Sequence, residues 1–253
     1  MKDWVASRLT QEKLSPELIA QQGRLQDKRF VSHETIYKWI WSMKHGHCQH
    51  DQPYRKLYLE LRHGRRRRKR GNYHDNRGCI PYRVSIEQRP RLIDKRRRLG
   101  DLEVDLMLGK NHQPGLLVLT DRASLKTTLI KISTKAAKPT AKAIIRRMKP
   151  CLHWIRTFTY DNDQAFALHH KINKALSTRS FFTHPYTSQE KGTVENRIGV
   201  LRRFFPKGTD FSKVHSQTVR RVQNIINRRP VRKFNYQTPN AVFLQKSSVA
   251  LIG

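Results

Sequence analysis

Residues 155–161 read Ile155-Arg156-Thr157-Phe158-Thr159-Tyr160-Asp161. β-Branched and aromatic residues fill the run, which predicts a strand that ends at an acid. Asn162 and Asp163 then supply the turn. Upstream, Leu102-Glu103-Val104-Asp105-Leu106-Met107-Leu108 reads as another strand with an acid set among apolar residues. Gly115-Leu116-Leu117-Val118-Leu119-Thr120 and Thr127-Thr128-Leu129-Ile130-Lys131-Ile132 predict two more strands, joined by a turn at Asp121-Arg122-Ala123-Ser124. Downstream, Glu195 stands in Gly192-Thr193-Val194-Glu195-Asn196, with 33 residues between it and Asp161.

The remaining pattern completes an α/β unit. Ala141, Ile144, Ile145 and Met148 fall at helical spacing in a stretch that Pro139 opens. Residues 164–176 read as a helix, Ser180-Phe181-Phe182 as a short fifth strand, and 192–204 and 216–228 as helices. Three hairpin-like strands, a helix, a strand, a helix, a short strand and a helix follow the order of an RNase H-like, retroviral-integrase-like core with a mixed sheet. In that order Asp105 lies on the first strand, Asp161 just past the fourth, and Glu195 on the helix that crosses them. Hard oxygen ligands suit Mg²⁺ or Mn²⁺. A pair of such ions activates a water or a 3′-hydroxyl and stabilises a leaving oxygen.

Charge points to the same chemistry. The chain has 52 Lys and Arg against 19 Asp and Glu, a formal net charge of +33. Acids are therefore scarce, and a polyanionic partner is expected, DNA or RNA before a membrane because the charge spreads over both halves. No apolar run approaches the roughly 20 residues of a membrane span. The first residues lack the apolar stretch of a signal peptide. Three isolated cysteines, Cys48, Cys79 and Cys151, argue against a disulfide framework and for a reducing cytoplasm, with the protein at the nucleoid.

Ahead of the core, residues 15–41 predict two helices joined by a turn, a small helix-turn-helix region. Ser15 and Ser32 suit the caps and Pro16 the first helical position. Leu18, Ile19 and Leu25 form one apolar stripe, and Ile36, Tyr37, Ile40 and Trp41 a second. His33, Glu34 and Lys38 are left outward, with His33 and Lys38 as DNA contacts; a plain helical hairpin is the alternative. The run Arg65-Arg66-Arg67-Arg68 reads as a basic linker or arm that meets phosphates. Lys191, Arg197, Arg202 and Arg203 flank Glu195 as further DNA contacts. Residues 195, 198, 199 and 202 share a helical face, which brings Arg202 toward the acids. The expected division is 1–61 helical, 62–98 basic linker, 99–246 catalytic core and 247–253 tail. His45-Gly46-His47-Cys48-Gln49-His50 crowds its ligands within six residues, so a polar loop is expected there and not a zinc site.

Several segments together resemble the DDE transposases of the IS thirty family of insertion sequences. They are Val31-Ser32-His33-Glu34-Thr35-Ile36-Tyr37, Arg83-Val84-Ser85-Ile86 with Arg89-Pro90, and Gly100-Asp101-Leu102-Glu103-Val104-Asp105-Leu106. Thr159-Tyr160-Asp161-Asn162 follows, then the longest, His184-Pro185-Tyr186-Thr187-Ser188-Gln189-Glu190-Lys191-Gly192-Thr193-Val194-Glu195-Asn196-Arg197. Phe204-Phe205-Pro206-Lys207-Gly208-Thr209-Asp210 and Asn227-Arg228-Arg229-Pro230 with Thr238-Pro239 close the series. The resemblance implies Asp105, Asp161 and Glu195 as catalytic metal ligands, with Asp101 the rival for the first position. It implies cleavage at element ends and attack of the freed 3′-hydroxyl on target DNA, in a homo-oligomer that joins two ends, with no small-molecule cofactor. The chain departs from the family at Leu102, where Trp is usual, and at Asp163 and Ala165, where Gly and Glu are usual. Relatives also carry a further helix-turn-helix before the first matched segment, so a shortened copy is expected. A DNA-binding remnant without catalysis, or another integrase of this fold, are the alternatives.

Overall fold

The computed structural model describes residues 1–26, 30–45, 49–61, 80–112, 115–184 and 187–252. The expected basic arm with Arg65, Arg66, Arg67 and Arg68, the polar link at 27–29, the middle of the His/Cys cluster at 46–48, and Pro185 and Tyr186 lie outside them. The chain divides into two units: described residues of Met1–His74 with Arg229–Tyr236, and described residues of Asp75–Arg228 with Gln237–Gly253.

The first unit is helical. Helices α1 (Lys2–Thr10), α2 (Pro16–Gln26) and α3 (His33–His45) pack around Val5, Leu9, Leu14, Leu18, Ile19, Ile36 and Ile40. Both expected caps form: Ser15 Oγ accepts from Leu18 N at 3.4 Å, and Ser32 Oγ from Thr35 N at 3.2 Å. Sequence reading missed α1, whose short 9-residue run carries only Val5 and Leu9 as buried apolar positions. It also placed Leu25, Tyr37 and Trp41 on apolar faces, whereas all three are exposed. Trp41 instead stacks on Tyr58, with the Lys44 ammonium over both rings. Arg229–Tyr236, read from sequence as part of the core, belongs to this helical unit: Arg229 donates to the Lys13 carbonyl at 2.7 Å and Tyr236 to Glu17 at 3.1 Å.

The second unit holds the sheet. After α4 (Arg91–Asp94) come β1 (Asp101–Met107), β2 (Leu116–Asp121), β3 (Thr127–Lys131), α5 (Ala137–Met148), β4 (Thr157–Tyr160), α6 (His169–Leu176), β5 (Arg179–Phe182), α7 (Gly192–Leu201), α8 (Ser216–Arg228) and α9 (Pro239–Ile252). The strand order is β3-β2-β1-β4-β5. β1, β2 and β3 pair antiparallel, while β4 is parallel to β1 and β5 to β4. This is the RNase H-like mixed sheet expected from the order of elements. The stretch 164–176 is not one helix: a short turn at Gln164–Phe166 precedes α6, because Asp163 caps that turn through Ala165 N at 2.9 Å. α9 runs on through residues read as a tail.

Strand alternation decides what faces what. Leu102 and Val104 of β1, Leu117 and Leu119 of β2, and Phe158 and Tyr160 of β4 join one apolar cluster with Ile144 and Met148 of α5 and Ile172 and Leu176 of α6. Met107, Leu116, Val118 and Leu129 face the other way, against Val194 and Leu201 of α7 and Val219, Val222 and Ile226 of α8. The odd-numbered residues of β1 therefore share the α7 side. That set includes Asp101, Glu103 and Asp105.

Candidate active site

Register brings two acids together. On the β1–β4 ladder Glu103 pairs with Thr159. Two residues further along each parallel strand come Asp105 and Asp161, so they meet on the same face at the carboxyl-terminal end of β4. This is the position where open α/β sheets hold their ligands.

A cation stands between them. The Lys191 ammonium lies 3.4 Å from Asp105 Oδ1 and 3.4 Å from Asp161 Oδ2, and it donates to the Val104 carbonyl at 3.1 Å. Lys191 sits at the start of α7 and is only 3% exposed. It was expected at a DNA phosphate; its charge is instead turned inward, onto the carboxylates. Burial works against its charge, but Asp105 and then Asp161 outweigh burial and hold its pKa above the ordinary lysine value. Burial pushes the Asp105 carboxyl up to about 6; Lys191 pulls it down and the Asp161 charge pushes it up again. Asp105 Oδ1 also accepts from Leu106 N at 2.8 Å, and Asp161 Oδ1 from Asp163 N at 3.2 Å. Asp161 is the more exposed of the two side chains, 32% against 19%.

Asp101, the rival for the first position, is otherwise engaged. Arg98 grips it with two hydrogen bonds of 2.8 and 3.0 Å, and the Thr157 hydroxyl donates to it at 2.7 Å. Asp101 fastens β1 to β4, with both its oxygens bonded to Arg98.

Glu195 lies in the first turn of α7, half-buried. Among the described residues no group of three or more His, Cys, Asp or Glu is gathered closely enough to hold a metal ion. The structure thus brings Asp105 and Asp161 together and leaves Glu195 on the adjoining helix. What ties that helix to the site is Glu103, a residue that sequence reading passed over. Its Oε2 accepts from Val194 N at 2.9 Å, and its Oε1 accepts from Arg122 at 2.8 Å. Glu103 is fully buried and the Arg122 side chain 4% exposed. An acid inside an apolar strand was the available signal, since a buried carboxylate needs a partner.

Asn162, beside Asp161, accepts from Arg83 at 2.7 Å and donates to the Thr183 carbonyl at 2.7 Å, fixing the ends of β4 and β5. Glu190, beside Lys191, is held by His184 through its backbone N at 2.9 Å and its Nδ1 at 2.8 Å. The hydrogen bond to Glu190 raises the His184 pKa.

The basic residues divide. Arg197 was expected at DNA, but it is 5% exposed and donates to the Leu125 carbonyl at 2.9 Å, which makes it a brace between α7 and the β2–β3 turn. Burial lowers its pKa to about 10. Arg202 and Arg203 are half-buried. Arg202 donates to the Leu108 carbonyl at 2.9 Å and lines, with Asn111 and Lys207, an open cleft of about 550 Å³ beyond the end of β1. In the helical unit His33 and Lys38 are exposed on α3.

No family model matches the chain. The transposase for insertion sequence element IS4351 from Bacteroides fragilis is 40% identical to it over 239 residues, 94% of this chain and 71% of that protein. The transposase InsI for insertion sequence element IS30A from Escherichia coli (strain K12) is 29% identical over 220 residues, 84% of this chain and 55% of that protein. Among solved structures, the catalytic core domain of BIV integrase superposes with a TM-score of 0.45 at 15% identity, covering 60% of this chain and 97% of that one.

Proposed function

Since the chain belongs to the transposases of insertion sequences, the family that includes the IS30 elements, we propose that Asp105 and Asp161, with Glu195, form the catalytic centre that cuts and joins DNA. The observation that carries this reading is the convergence of two aspartates from neighbouring parallel strands on one cation. A site that already gathers carboxylate and carbonyl oxygens about a positive charge has the donor set of a hard divalent ion. Divalent ions held by these residues, Mg²⁺ or Mn²⁺ and two in number, would supply the Lewis acidity to activate water or a 3′-hydroxyl and to stabilise the leaving oxygen.

The residues of the chain do the positioning. Asp105 is fixed on a strand buried between two helical layers, the rigid placement that ligands require. Asp161, at the open strand end, reaches out from the sheet. Glu103 fixes the first turn of α7, and with it Glu195, against β1. Arg202 and Lys207, which line the cleft beyond the end of β1, and Arg203 take DNA phosphates, and His33 and Lys38 of α3 serve a separate DNA contact. The nucleophiles are water and then a 3′-hydroxyl, so the protein forms no covalent bond to DNA. Element ends and target DNA are the substrates. Two ends must be held at once, which calls for a homo-oligomer working at the nucleoid in the cytoplasm.

The test is divalent-metal-dependent nicking of a labelled duplex that carries the ends of the host element. The wild type is expected to cleave, and Asp161→Asn to bind the duplex as well or better while not cleaving. Loss of binding in Asp161→Asn would mark the residue as structural. Because three acids are not gathered among the described residues, a second reading is a DNA-binding protein without catalysis. Binding without cleavage by the wild type would select it.

A further inference from the structure

Most described lysines of this basic chain are exposed, but Lys191 is buried. Its ammonium has three oxygens about it: one from Asp105, one from Asp161 and the Val104 carbonyl, at 3.4, 3.4 and 3.1 Å. Two carboxylates on adjacent strand ends repel each other unless a positive charge lies between them. A divalent ion drawn to the same oxygens would in turn repel an ammonium held at that distance. Both cations cannot be accommodated.

We propose that the Lys191 ammonium and the divalent ion are alternative occupants of one position between Asp105 and Asp161, so that Lys191 must withdraw before the centre can load. The proposal rests on the reading of those two aspartates as metal ligands. Lys191 is well placed to do this. It ends the short turn Ser188–Lys191 and caps α7, with φ −110 and ψ 34, outside the regular helix.

The experiment is an Mn²⁺ titration of the full chain, read from the electron paramagnetic resonance of the free ion, with no DNA present. Wild type is compared with Lys191→Met, Lys191→Gln and Asp161→Asn. Glutamine keeps a donor for the Val104 carbonyl without the charge, so at least one variant retains that hydrogen bond. An apparent Kd is the intrinsic one divided by the fraction of molecules with the position open, so an ammonium present in about nine molecules of ten costs roughly tenfold. Both lysine variants are expected to bind Mn²⁺ tighter by about that factor, and to melt lower than wild type without metal. In the wild type, Mg²⁺ is expected to raise acetylation of Lys191 by acetic anhydride, read by mass spectrometry. Wild-type affinity in both lysine variants, with weaker binding in Asp161→Asn, would overturn the exchange while leaving the aspartates as ligands. Unchanged Mn²⁺ binding in Asp161→Asn would overturn the metal reading and the exchange with it. Unchanged labelling of Lys191 would also overturn the exchange.

Discussion

Asp105 combines a largely buried position with a carboxylate set beside a lysine ammonium. Its pKa stands near 6, against 3.8 for an ordinary aspartate, and burial is the main reason. Between those values the folded chain binds more protons than the unfolded one, so this residue makes stability fall as pH rises through that window. Asp105→Asn removes the effect, while Asp161 remains as a partner for Lys191. At pH 8 without metal the variant is expected to be more stable than wild type by up to roughly 3 kcal/mol, since each pKa unit is worth about 1.4 kcal/mol. The advantage should disappear near pH 3.5. Urea denaturation at the two pH values checks this, and a variant less stable than wild type at pH 8 would show that Asp105 is held charged at no cost. The place of Asp105 on β1 was legible in sequence as an acid among apolar strand residues. That of Lys191 was not, because one lysine among 52 basic residues carries no local mark of being buried.

At the scale of elements, the contact between α7 and β1 depends on Glu103. It joins the Val194 N–H at the helix start to the Arg122 guanidinium near the end of β2. Removing one partner of such a buried pair leaves an uncompensated charge, which typically costs about 3–5 kcal/mol. Glu103→Ala is expected to lose that much, and Arg122→Met a similar amount. The double variant should lose clearly less than the sum, which a double-mutant cycle in urea measures. Additive losses would mean that the pair does not act as a unit. The strands and their order could be read from sequence because each is a strongly apolar run between turn residues. The first-unit faces were read less well. On α3, Tyr37 and Trp41 follow helical spacing with Ile36 and Ile40, yet α3 packs on a small core that takes Ile36, Ile40 and part of Trp39 and leaves Tyr37 and Trp41 exposed. Spacing identifies a face, but the width of the neighbouring surface decides how much of it is buried. The α7 interior was hidden for a similar reason: Arg197 reads as one more basic residue until the β2–β3 turn is placed beside it.

For the whole molecule, a formal net charge of +33 makes phosphate contact the main source of affinity. If about six phosphates are neutralised, DNA binding should weaken by roughly 10³-fold between 50 and 200 mM salt. Filter binding across that range checks it, and a flat response would remove DNA as the partner implied by charge. Among the described residues no helix is long and apolar enough to cross a membrane. Three particular carboxylates, and not acidity in general, are proposed to perform the cleavage. The most direct measurement is Mg²⁺-dependent nicking of end-bearing duplex by Asp105→Asn, Asp161→Asn and Glu195→Gln beside Asp163→Asn, a neighbour that caps only the turn before α6. The first three are expected to bind DNA without cutting, and Asp163→Asn is expected still to cut. Cleavage retained in Glu195→Gln, or lost equally in Asp163→Asn, would contradict the proposal.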